Sequence, residues 1–68
     1  MTTVDIRGEP CGMPVPRVEK VLQGGRPFAV IGDQEQTMDQ LQLLALRHGW
    51  TCVVSKEGAG WKAEFKPR

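Results

Sequence analysis

Val4-Asp5-Ile6-Arg7-Gly8-Glu9-Pro10-Cys11-Gly12-Met13-Pro14-Val15 contains a change of period that decides the fold. Val4 and Ile6 alternate with Asp5 and Arg7, the period of a short half-buried strand. Gly8 and Pro10 break that strand. From Pro14 the pattern turns helical: Val15, Val18 and Leu22 fall at i, i+3 and i+7, with Val21 beside them. Arg17, Glu19 and Lys20 take the opposite face, as an amphipathic helix requires. Gly24-Gly25 stops this helix and Pro27 confirms the break.

The same alternation of periods continues downstream. Phe28-Ala29-Val30-Ile31 is apolar at every position, which fits an interior strand ended by Gly32-Asp33. Thr37 with Gln40 forms a capping-box pattern, and Asp39 suits the positive end of a helix. Met38, Leu41, Ala45 and His48 then follow 3-4-3 spacing with Leu44 on the same stripe. Arg47 and His48 suit the negative helix end, and Gly49 is placed to close it. Trp50 to Lys56 reads as a strand, and Glu57-Gly58-Ala59-Gly60 as a hairpin loop. Trp61, Ala63 and Phe65 alternate with Lys62, Glu64 and Lys66, the cleanest strand signal in the chain. The order is β-α-β-α-β-β. Right-handed crossovers put both helices on one side of the sheet. The expectation is an α+β two-layer sandwich: a mixed four-stranded sheet, two helices on one face, and the other face partly open.

Size and composition narrow the function. Sixty-eight residues make a single domain, 1–68. No apolar run approaches the roughly 18 residues that cross a bilayer. The stretch Met1–Asp5 lacks the basic and apolar segments of an export signal, so a cytoplasmic protein without membrane contact is expected. The formal net charge is +1, with basic and acidic residues interspersed, which argues against direct nucleic-acid binding. Two cysteines, Cys11 and Cys52, and one histidine, His48, do not make a structural zinc site, and no metal is expected. A disulfide framework is not expected either.

Cys11 is the residue that points to chemistry. It lies just before a helix start, where unpaired N–H groups and a partial positive charge favour thiolate over thiol. Thiolate is the attacking species in sulfur exchange. Pro14 and Pro16 fall in the first helical turn, where a missing N–H costs little, and they stiffen the platform under the sulfur. The donors left nearby are the N–H groups of Gly12, Met13 and Val15, and the Gly12 N–H is expected to point at the Cys11 sulfur. Met13 is a candidate docking residue, because methionine adapts to varied surfaces. Arg7 is a candidate binding cation, or else a structural partner of Asp5 or of a helix carboxylate. Lys20 suits a docking surface better than direct contact with Cys11. Cys52, between Thr51 and Val53, reads as a small buried hydrophobe. His48 reads as a helix-end charge, Met38 as helix core, and Trp50 and Trp61 as closures of the core ends.

The segment resembles the N-terminal signature of the TusA/SirA-like family of small sulfur-carrier proteins, Asp-x-Arg-Gly-x-x-Cys-Pro-x-Pro followed by a helical lysine. Asp5, Arg7, Gly8, Cys11, Pro14, Val15 and Lys20 fall in register, and Gly12 stands where the family carries its first proline. Beyond Leu22 the likeness is one of element order and size. The resemblance implies that Cys11 bears sulfane sulfur as a persulfide; Arg7, Gly12, Met13, Pro14 and Lys20 are the binding residues expected around it, and no cofactor is expected. It also implies two protein partners: a sulfur donor, of the cysteine desulfurase or rhodanese-like kind, and an acceptor sulfurtransferase. The pathways it suggests are tRNA thiolation, cofactor synthesis or sulfur oxidation. Two rival readings are a binding or regulatory module without turnover, and a reversible Cys11–Cys52 disulfide. The latter needs Cα atoms within about 7 Å.

Overall fold

The computed structural model describes residues 2–9 and 14–68. They form β1 (Thr2–Asp5), α1 (Pro14–Leu22), β2 (Phe28–Gly32), α2 (Glu35–Arg47), β3 (Trp50–Glu57) and β4 (Gly60–Pro67). The strands lie in the order β1-β2-β4-β3. β1 pairs parallel with β2, while β4 pairs antiparallel with both β2 and β3. β3 therefore runs parallel to β2, and β4 fills the gap between them. The sheet is mixed and has two helices packed against it, as the order of periods implied.

Register explains the two faces. Phe28 opposes Phe65, Val30 opposes Ala63 and Gly32 opposes Trp61, so these side chains share the helix-covered face. Val18 and Leu22 of α1 and Leu41, Leu44 and Ala45 of α2 close over them in one cluster. Phe28 and Phe65 stack with centroids 4.7 Å apart and planes 8° apart. Each fully buried apolar side chain of this size contributes about 1.5–3 kcal/mol. On the opposite face Lys62 and Glu64 alternate with the buried positions, and Val53 is exposed. The Trp61 indole lies so close over Gly32 that a Cβ there would overlap the ring. Trp50 and Trp61 are both buried, at either end of the core.

Three local readings change. The hairpin loop expected over Glu57-Gly58-Ala59-Gly60 tightens to Gly58-Ala59, because Glu57 and Gly60 pair as strand residues. The strand pattern through Arg7 shortens to Thr2–Asp5, although the Ile6 N–H still donates to the Ile31 carbonyl at 2.9 Å. The capping box at Thr37 does not form. Helix α2 begins at Glu35 after Gln34, with no side-chain cap, and Thr37 is buried against the core. Tertiary contacts set this boundary. The Gln34 carbonyl accepts the Met38 N–H at 3.2 Å and the Trp61 indole N–H at 3.0 Å, which fixes the helix start earlier. Asp33, the nearest candidate cap, turns its carboxylate elsewhere.

Candidate functional site

The two flanks of the Cys11 segment are built from different elements and tied together. On the upstream side, β1 delivers Asp5 and Ile6 to the carboxyl end of the sheet, where open α/β folds place their ligand sites. Ile6 is buried and anchors the exit of the strand. Arg7 and Gly8 form a turn closed by the Glu9 N–H donating to the Ile6 carbonyl at 3.3 Å. Gly8 has φ +78°, a conformation that costs other residues about 1–2 kcal/mol. Its N–H donates to both oxygens of the Asp33 carboxylate, at 3.2 and 3.3 Å. Asp33 immediately follows β2, so the turn is fastened to the neighbouring strand end.

On the downstream side, Pro14 opens α1 and is fully buried. Pro14 and Pro16 donate no hydrogen bonds, so the free N–H groups of this first turn are fewer than in an ordinary helix. No acidic residue occupies the first turn of α1, which leaves its positive end uncompensated from within the helix. Arg17, one turn in, reaches back across the segment. Its guanidinium donates to the Asp5 carbonyl at 3.2 Å and pairs with the Glu9 carboxylate. The β1–α1 connection is thus held at Asp5, Gly8 and Glu9 before it and at Pro14 after it.

Arg7 does not stand free as a binding cation. Its Nε and guanidinium nitrogens donate to the two oxygens of Asp5, at 3.0 and 2.8 Å, and its backbone N–H donates to Asp5 at 3.1 Å. These bonds hold the Asp5 carboxyl at about 2, below its usual 3.8, and push the Arg7 guanidinium up. The pairing with Asp5 is one of the two structural roles the sequence left open. Lys20 lies in the last turn of α1 and is exposed. Pro14 sits at the site as a fully buried helix opener. Cys11, Gly12 and Met13 lie outside the described residues, and so does the expected Gly12 N–H contact.

Sequence reasoning missed Asp33, Glu9 and Arg17. Asp33 is 25 positions from Gly8 and Arg17 is 12 from Asp5, separations at which spacing carries no signal. The strand order, which brings the ends of β1 and β2 side by side, is the signal for Asp33, while Arg17 and Glu9 need the packing of α1 as well. Away from this site, Cys52 on β3 is half-buried and a free thiol, and burial pushes its pKa up. His48 caps the end of α2 and contacts Glu19 of α1 at 3.3 Å, a helix-to-helix tie. Among the described residues no cluster of His, Cys, Asp and Glu could hold a metal ion. Among the same residues no helix is long and apolar enough to cross a membrane.

No family model and no curated protein matches this chain. A solved structure does. The chain is similar to the crystal structure of a SirA-like protein from Desulfitobacterium hafniense, at 26% sequence identity and a TM-score of 0.87. The match covers 96% of this chain and 95% of the other. The fold is therefore SirA-like over nearly the full length.

Proposed function

We propose that this chain is a cytoplasmic sulfur carrier in which Cys11 accepts sulfane sulfur and relays it to a second protein. The observation that carries this reading is the pairing of a SirA-like fold with Asp5, Arg7, Gly8 and Pro14 in signature register around one cysteine. The geometry of the flanks supports it. Gly8 is fastened to the end of β2 by Asp33, Glu9 is tied to α1 by Arg17, and the helix start that follows favours an anion.

The chemistry needs no cofactor. The Cys11 thiolate attacks the outer sulfur of a donor persulfide. A sulfur–sulfur bond to Cys11 forms as the donor's own breaks, and the electron pair leaves with the donor as its thiolate. No net oxidation occurs. The reverse step, with an acceptor thiolate attacking, unloads the carrier. The donor is a cysteine desulfurase or a rhodanese-like protein, and the acceptor is a sulfurtransferase. Arg7, already committed to Asp5, shapes the loop in this reading, while Lys20 and Met13 belong to the docking surface.

Incubation with a cysteine desulfurase and cysteine, followed by intact-mass spectrometry, tests the proposal. One added sulfur atom is expected on the wild-type chain and none on Cys11→Ser; equal loading of both refutes it. Gly12, which replaces the signature proline, favours a second reading as a binding module without turnover. That reading expects no loading and a partner contact that survives Cys11→Ala.

A further inference from the structure

The outer face of α2 carries two large apolar side chains that the fold does not use. Leu43 is 60% exposed and Leu46 is 67% exposed, on a helix whose inner face already fills the core with Leu41, Leu44 and Ala45. They border an open groove between α1 and α2 that is also lined by Val15, Pro16, Gln40 and Arg47. Scattered exposed leucines need no explanation, but two that share an apolar groove form a patch of the kind that marks an interface.

The charges beside the patch select its occupant. Asp39, Leu43, Leu46 and Arg47 fall on one stripe of α2, at i, i+4, i+7 and i+8. Asp39 and Arg47 are exposed, and neither forms a salt bridge among the described residues. They stand equally far on either side of Leu43, about 6 Å along the axis each way. A stripe with an acid at one end, a base at the other and a leucine at the midpoint is complementary to its own reverse. We propose that this face is where two copies of the chain associate, their α2 helices antiparallel about a two-fold axis at Leu43.

In that arrangement Leu43 meets its counterpart, and each Asp39 faces the partner copy's Arg47, twice over by symmetry. Each Leu46 lies over the other copy's Gln40, at the mouth of its groove. The antiparallel sense also sets opposite ends of the two helix dipoles side by side. The parallel sense would oppose Asp39 to Asp39 and Arg47 to Arg47, so charge excludes it. A helix of 13 residues presents a small area, which places this interface in the weak, concentration-dependent class. The inference does not rest on the sulfur-carrier reading.

Sedimentation equilibrium of the full chain, from micromolar to about 1 mM, tests the proposal in the range where small interfaces associate. A monomer–dimer equilibrium is expected, abolished by Leu43→Glu. Asp39→Arg alone and Arg47→Asp alone should each weaken it by about tenfold or more, because like charges then face one another. The double reversal should restore it, since each pair again has opposite signs. All four positions are solvent-facing, and circular dichroism checks that the variants fold. Leu46→Lys stands in if Leu43→Glu does not. A wild-type monomer at every concentration overturns the proposal and leaves the face to a different protein. A dimer indifferent to the leucine variants, or a double reversal without recovery, also overturns it.

Discussion

Asp33 and Gly8 meet across 25 positions of sequence: the Gly8 N–H donates to both oxygens of the Asp33 carboxylate, at 3.2 and 3.3 Å. Asp33 immediately follows the second strand, and Gly8 lies in the turn that leads away from the first. This bond makes the Arg7–Gly8 turn part of the sheet's own rim. The cap position of α2 falls on Gln34, whose side chain makes no capping bond, so the carboxylate one residue earlier serves the turn and not the helix.

Removing the carboxylate should loosen the turn without unfolding the core. Asp33→Ala is expected to cost about 1 kcal/mol in urea denaturation, less than a buried charge-assisted bond because the site is exposed. Limited trypsin digestion should cut faster after Arg7, which immediately precedes the freed N–H. Unchanged stability together with unchanged cleavage would show that the bond holds nothing.

The Gly8 backbone gives a second, independent handle. Gly8→Ala meets no neighbouring atom, so its cost is conformational. With φ at +78°, the loss should be about 1–2 kcal/mol. Gly8→Asn, better suited to this region, should recover part of it. Equal stability of the two variants would contradict the assigned turn.

Asp5 carries a pH signature. Its carboxyl is held at about 2 by the hydrogen bonds and charge of Arg7, against 3.8 ordinarily. A folded value below the unfolded one means that the stabilisation is present above about pH 4. It is lost as pH falls through the window between 3.8 and about 2. Denaturation of Asp5→Asn should therefore show a shallower loss of stability than wild type across that window. A parallel decline of the two proteins would show that the pair contributes nothing.

Much of the fold was legible because it follows from local periods. Val15, Val18 and Leu22 announce α1, and Trp61, Ala63 and Phe65 announce β4. The start of α2 was not legible. Thr37 and Gln40 present a plausible local cap, but the Trp61 indole reaches Gln34 from the far hairpin and sets the boundary earlier. The cysteine loop was legible in its composition and not in its fastenings. Asp5 and Arg7 are near neighbours whose pairing could be anticipated, whereas Asp33 to Gly8 and Arg17 to Glu9 depend on the assembled sheet and helix.

The remaining thiol separates structure from chemistry. Burial pushes the Cys52 thiol up, so iodoacetamide should label it slowly near neutrality in a Cys11→Ser background, and faster as pH rises. Its folded value lies above its unfolded one. The stability it lends is then full below the unfolded thiol's range and is lost as pH climbs through the folded value. Rapid labelling of Cys52 at neutral pH would contradict its half-buried place on β3.

The interleaving of β4 between β2 and β3 has a consequence for biosynthesis. Every strand made earlier leaves the ribosome before the one that joins them, so a nascent chain ending at β3 has two sheet fragments and a gap between them. Phe28 must wait for Phe65, its stacking partner, until β4 has emerged. Closure of the sheet therefore waits for the last strand of the chain, and the long-range pairing of β2 with β4 comes after the local hairpin of β3 and β4 can form.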